Sequence, residues 1–137
     1  MRNKISLLML ITCGLVLTEV SLAHHAFSAV FDDKQPIKLT GAVTKVEWQN
    51  PHIWFYMDVK DTNGKTSNWG MEMASPNALI RAGWSRTSMK MGDMVAVEGF
   101  RAKDGSNTGN AQVVILANTG QRLFAGSSLG QPEKPQR

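Results

Sequence analysis

His52-Ile53-Trp54-Phe55-Tyr56-Met57-Asp58-Val59-Lys60, then Asp61-Thr62-Asn63-Gly64-Lys65, then Thr66-Ser67-Asn68-Trp69-Gly70-Met71-Glu72-Met73 is the stretch whose reading decides the fold. Ile53, Phe55, Met57 and Val59 alternate with Trp54, Tyr56, Asp58 and Lys60. Successive side chains of a strand point to opposite faces, so this period of two marks a half-buried strand. Asn63-Gly64 supplies the positive φ angles of a tight turn. Residues 66–73 return as the second strand of a hairpin. On that strand Trp69, Met71 and Met73 share one face, and Glu72 takes the other.

Working outward, Ile37 to Trp48 is rich in β-branched residues and reads as a preceding strand, with Gly41 marking a bulge or sharp bend. Gln49-Asn50-Pro51 breaks it from the hairpin. Downstream the period changes. Ser75-Pro76 reads as an N-cap followed by proline at the first helical position, and Gly83 closes a short helix running through Asn77 to Ala82. Gly92-Asp93 is a turn, Met94 to Arg101 a fourth strand, and Lys103 to Asn107 a loop. Ala111 to Asn118 is a fifth strand, with a short extra one within Gln121 to Ala125. Three strands, a helix and two strands is the order of an OB-like five-stranded barrel, all-β with one short helix. An open β-sandwich or roll is the alternative.

The two ends read differently from the middle. Arg2 and Lys4, the apolar run Ile5 to Leu17 and the small-x-small site Ser21-Leu22-Ala23 have the form of a secretory signal peptide over residues 1–23. The apolar run is too short for a membrane span, and Glu19 ends it. Leu10-Ile11-Thr12-Cys13 is a competing, poorer match to a lipoprotein box. Cleavage after Ala23 makes His24 the first residue of a periplasmic protein. Residues 24–36 read as an N-terminal arm, 37–125 as the barrel, and 126–137, rich in Gly, Ser, Pro and Gln, as a disordered tail.

Composition narrows the function. The whole chain carries 15 basic and 11 acidic residues, a net charge of +4. Removal of Arg2, Lys4 and Glu19 leaves the processed form only mildly basic, with charges scattered singly, which argues against nucleic acid. Cys13 is the sole cysteine and leaves with the signal, so the processed domain has no disulfide and no thiolate. No paired carboxylates have the spacing of a hydrolase, no glycine-rich phosphate loop joins a strand to a helix, and no serine sits in a nucleophile elbow. Binding, rather than catalysis, is the expectation.

The histidines are the strongest chemical signal. A terminal histidine offers an α-amino nitrogen and an imidazole on one residue, a chelate suited to copper. His25 and His52 are the chain's other imidazoles. The terminal pair is similar to the histidine brace of copper monooxygenases in that one feature. Met71 and Met73 add thioethers, soft ligands that suit Cu(I), and Trp69 an indole face; ordinary barrel core is the competing reading for all three. Glu72 is a further oxygen donor. Trp48, Trp54, Trp69 and Trp84, with Asn50, would make an aromatic ligand-binding face where OB-folds take their ligands, or else part of the core.

Two resemblances follow from these residues. His52 on the second strand, with Trp69 and Met71-Glu72-Met73 on the third, resembles the small periplasmic copper and silver chaperones of the OB-fold type, although the tryptophan-to-methionine spacing is one residue shorter here. More extensively, the chain resembles a family of short secreted bacterial proteins of unknown function. The match lies in His24-His25-Ala26-Phe27, Val46-Glu47-Trp48-Gln49-Asn50-Pro51-His52, Trp69 to Glu72, Ser75-Pro76-Asn77-Ala78-Leu79, Gly83-Trp84 and Gly92 to Gly99. In that family pattern Glu72 is the regular feature, and Met71 and Met73 are particular to this chain. The expectation is a periplasmic binding protein that holds a metal, copper, through His24, His25 and His52, with Glu72, Met71 and Met73 as possible additions. The alternative is a metal-free module that binds a ligand or an envelope protein partner through its aromatic face. A copper redox enzyme is a third reading, requiring open coordination positions. No nucleic acid is expected, nor a membrane span after processing.

Overall fold

The hairpin is present, and it sits in a ring. In the computed structural model, which describes residues 26–126, residues 26–30 are helical. From there the order is β1 (Phe31–Glu47), β2 (Trp54–Lys60), β3 (Thr66–Glu72), α1 (Pro76–Arg81), β4 (Met94–Ala102), β5 (Thr108–Leu116) and β6 (Arg122–Phe124). The sheet order is β3-β2-β1-β4-β5-β6, and a parallel pairing of β3 with β5 closes five of the strands into a ring. That closure aligns Gly70 with Thr108, Met71 with Gly109 and Glu72 with Asn110. An open sandwich or roll would leave β3 and β5 apart, so the OB-like reading holds.

The alternation on β2 fixes what the ring encloses. Ile53, Phe55 and Met57 are completely buried, as are Met71 and, from the other side of the ring, Val95 and Val114. Full burial of such side chains is worth roughly 1.5–3 kcal/mol each. With no disulfide among the described residues, this core is the main source of stability. The helix adds one side chain, Leu79, to this core. Ser75 Oγ accepts from the Ala78 amide at 3.4 Å, Pro76 opens the first turn, and Leu79 points into the core. Gly83 follows at φ 97°, a left-handed conformation that favours glycine. The indole N–H of buried Trp84 then donates to the Phe124 carbonyl at 2.8 Å, fastening the exit of α1 to β6.

Three local expectations change. β1 begins at Phe31 rather than Ile37, so residues 31–36 are strand and not part of an arm. Phe31 is buried and pairs with Ala102, and the next aligned pair is Pro36 with Phe100. Between them Asp32 turns the chain locally, accepting from the Lys34 amide at 3.0 Å and the Gln35 side chain at 2.8 Å. That irregularity hides the strand's period. The bulge of β1 falls between Val43 and Lys45, not at Gly41. Gly41 lies where β1 pairs with both β2 and β4, and a Cβ there would run into the Asp58 carbonyl. The glycine answers to close backbone approach. In the β2–β3 turn, Gly64 alone takes a positive φ; Asp61 Oδ1 organises the rest by accepting from the amides of Asn63 and Lys65, each at 2.9 Å.

No helix among the described residues is long and apolar enough to cross a membrane. The signal-peptide reading of residues 1–23, His24 and His25, and the tail reading beyond Gly126 lie outside the described residues.

Candidate functional site

The site grows from the register of the hairpin. β2 and β3 pair from Lys60 with Thr66 up to Trp54 with Glu72. The ladder continues one step further, with Met73 N donating to the Ile53 carbonyl at 2.8 Å and Ile53 N to the Ala74 carbonyl at 3.1 Å. Ile53, Met71 and Met73 all point into the core, so His52, Trp54 and Glu72 share the outer face. His52 and Glu72 are diagonal neighbours across the two strands, within reach of long side chains. Their side chains touch: His52 Nδ1 meets Glu72 Oε1 in a close polar contact. The imidazole side chain is 44% exposed and the carboxylate only 15%, so the ring stands outward from a carboxylate that is mostly covered.

Burial raises the Glu72 pKa above the ordinary carboxylate value of 4.5, and the neighbouring His52 opposes the shift. A carboxylate removed from water is disfavoured unless a positive charge or hydrogen-bond donor compensates. His52 is the compensating group. Asn110, aligned with Glu72 across β3 and β5, is the one buried polar residue among those described, and its Oδ1 accepts from the Gln112 side chain at 2.5 Å.

A second polar cluster adjoins this pair on β1 and β2. Glu47 and Lys45 stand opposite Trp54 and Tyr56 in the register. Lys45 Nζ lies 2.5 Å from Glu47 Oε1, the Tyr56 hydroxyl donates to Glu47 Oε2 at 3.2 Å, and Lys45 Nζ lies 5.4 Å from the Tyr56 ring centre. Hydrogen bonding from Lys45 holds the Glu47 carboxyl below its usual value, while burial and then Glu47 push the Tyr56 phenol up. Behind them is Gly70, where a Cβ would come within 3.3 Å of the Tyr56 ring and 3.7 Å of the Trp54 ring. The missing side chain on β3 lets both aromatic rings lean over the strand. Of Lys45, Glu47 and Tyr56, the tyrosine lies in the alternation of residues 53–60, whereas Lys45 and Glu47 follow the β1 bulge, which breaks the local period.

The remaining anticipated residues divide. Met71 and Met73 are fully buried, with Met71 lying beneath Gly109, and they face away from His52 and Glu72. Trp69 and Trp84 also belong to the core. The Arg101 guanidinium covers Trp69 at 5.4 Å from the ring centre. Of the four tryptophans, Trp48 and Trp54 are the partly exposed ones. Arg86 lies 5.8 Å from the Trp48 ring, and the Trp48 indole N–H is buried without a hydrogen-bond partner. Asn50 is exposed and precedes Pro51 through a cis peptide bond. On β4, Glu98 is tied to Arg122 at 2.8 Å and Lys38 at 3.6 Å, a solvated ion-pair network.

Chemically, the outer face offers one exposed imidazole, a covered carboxylate that holds it, and an aromatic pair beside them. Among the described residues no group of three or more His, Cys, Asp or Glu side chains is arranged to hold a metal ion. A metal on this face therefore needs donors from elsewhere. In comparison with known proteins, a family model described as a family of unknown function (DUF6152) matches residues 14–112. No curated protein matches the chain.

Proposed function

The chain belongs to this family of unknown function, and we propose that it is a periplasmic copper-binding protein. In this reading His52 is the ligand supplied by the strand ring. His24 and His25, at the amino terminus made by cleavage after Ala23, supply the rest. The observation that carries the proposal is the His52–Glu72 contact, which leaves an exposed imidazole held by a covered carboxylate. Metal-binding histidines characteristically donate their second ring nitrogen to such a group.

The donor set is nitrogen-rich. Met71 and Met73, on the core face, are not part of it. Imidazole and amine donors suit Cu(II), whereas thioethers would have favoured Cu(I). The proposed role is binding; a copper redox reaction would require a substrate surface and open coordination positions. The test is a copper titration of protein processed to His24, beside one extended by a single N-terminal residue and beside His52→Ala. Loss of the tight site in both variants is the expected outcome. Equal binding in all three would remove the proposal.

A second reading has its own observation. Trp54 and Tyr56 lean over Gly70 on the outer face, flanked by Glu47, Lys45 and Glu72. This is the face on which OB-folds bind ligands. A metal-free module that binds a ligand or an envelope protein there would lose binding on Trp54→Ala and be indifferent to the amino terminus.

A further inference from the structure

We infer that Trp54, set between Glu47 and Glu72, receives the guanidinium of an arginine side chain on a protein partner. The inference is independent of the copper site. It rests on the second reading, of the outer face as a binding face, and names the chemistry that face recognises.

The register builds the row. Glu47 on β1 pairs with Trp54, and Trp54 pairs with Glu72 on β3. Directly opposed residues share a face with Cβ atoms about 4.5–5.5 Å apart, so one carboxylate stands on each side of the indole. The Glu47 side chain is 27% exposed and that of Glu72 15%, so both charges are partly withdrawn from water. Glu72 meets His52 through Oε1, which leaves Oε2 to accept from elsewhere. Glu47 takes Lys45 on Oε1 and the Tyr56 hydroxyl on Oε2, and each oxygen keeps a second lone pair.

The other rings indicate the occupant. Lys45 lies over Tyr56 at 5.4 Å, Arg86 over Trp48 at 5.8 Å and Arg101 over Trp69 at 5.4 Å. Trp84 is a core residue whose N–H is spent on the Phe124 carbonyl. Trp54 is the one tryptophan neither within the core nor packed against it, and no lysine or arginine among the described residues covers its ring. It is also the ring with a carboxylate on either side. An indole face attracts cations better than any other aromatic side chain, and the two anions add to that attraction. Charge complementarity therefore calls for a cation from outside the chain.

Shape narrows the cation. A planar guanidinium lies flat on an indole while its N–H groups, directed outward in its own plane, reach carboxylates on both sides. An ammonium is a point charge without that fork. Both cations that the chain places on its own tryptophans are arginines. Closure of the strands into a ring makes this outer face convex, whereas small-molecule sites are concave. A side chain presented by another protein suits such a face.

The test uses end-blocked pentapeptides with a central arginine, citrulline or lysine between glycines. Each is titrated without metal into 15N-labelled protein and followed by NMR. The arginine peptide should shift the Trp54 indole N–H and the Glu72 amide saturably. Citrulline, which has the shape without the charge, and lysine should bind more weakly. Glu47→Gln and Glu72→Gln should each lower affinity for the arginine peptide by about tenfold. Trp54→Leu should lower it by about 2–30-fold, read on the Glu72 amide. The comparison of the three peptides on wild type needs no variant to fold. Equal binding of arginine and citrulline would overturn the cationic class and leave the face a binding site. Lysine binding as tightly as arginine would overturn the guanidinium assignment, and shifts centred on Trp48 or Trp69 would overturn the site. No shift at Trp54 with any peptide would overturn the inference and the binding-face reading together.

Discussion

Trp54 and Glu72 stand directly opposite one another across β2 and β3, and that pairing carries His52 to the Glu72 carboxylate on the outside of the ring. The same register sends Phe55 and Met71, which pair with each other one step along, into the core. A slip of one residue would turn one strand over relative to the other, bringing its core side chains outside and separating His52 from Glu72. The core and the candidate site are therefore specified by one hairpin. A change that shifts its register would lose both.

The Glu72 carboxyl should titrate above the ordinary carboxylate value, and removing His52 should raise it further. Burial is the larger cause of the shift and His52 opposes it. Because the folded state holds the proton more tightly than the unfolded state, Glu72 costs stability as pH rises from the unfolded carboxylate range through its folded midpoint. Glu72→Gln should remove that pH-dependent cost. Carboxyl 13C NMR on wild type and His52→Ala, with urea unfolding across the same pH window, reads both effects.

Met71→Ala should destabilise the fold by roughly 2–5 kcal/mol, the usual cost of emptying a buried methionine site. Met71→Leu should cost less than about 1.5 kcal/mol. Met71→Leu should leave copper affinity unchanged, since the thioether lies on the core face. A Met71→Leu protein that folds normally but loses copper would return the methionine to the ligand set.

Trp84→Phe keeps most of the apolar ring but removes the indole N–H that reaches the Phe124 carbonyl. An unsatisfied buried acceptor costs about 1–3 kcal/mol. Denaturant midpoints should fall accordingly, and amide exchange should quicken first in β6 and at the end of α1.

Gly41→Ala should be among the most damaging small substitutions, because its Cβ would meet the backbone carbonyl of Asp58. Overpacking costs typically reach 1–3 kcal/mol, and here the obstacle is main chain, which cannot swing aside. Gly41→Ala should lower the unfolding midpoint more than Trp84→Phe does, as calorimetry would show.

Much of the fold was legible because local rules agreed with the global ones. Alternation over 53–60 gave β2, and Ser75, Pro76 and Gly83 gave both ends of α1. The order of elements implied the OB-like ring. The start of β1 was not legible. Its pairing passes through an irregular segment between Phe31 and Pro36, where side-chain hydrogen bonds from Asp32 replace strand periodicity. The parallel β3–β5 closure was equally silent locally, since it joins residues far apart in sequence and leaves no turn signal.

The site was half legible. His52 and Glu72 were singled out separately, by chemistry and by strand direction. Their meeting was implicit in the turn: once Lys60 faces Thr66 across the five-residue loop, Trp54 must face Glu72. Met71 and Met73 show the limit of composition. Thioethers read as soft ligands or as packing, and only their place relative to the core separates the two. For Trp69 and Trp84 the same ambiguity resolves toward packing, leaving Trp48 and Trp54 as the partly exposed tryptophans.

The most direct measurement of the central claim is a Cu(II) titration followed by electron paramagnetic resonance, on protein produced with His24 as its first residue. It is run beside a copy with one added N-terminal residue and beside His52→Ala. The account predicts one tight site with nitrogen hyperfine structure in the authentic protein. That site should be lost or sharply weakened in both variants, with each still folded by circular dichroism. Weak binding of the same strength in all three proteins would contradict it.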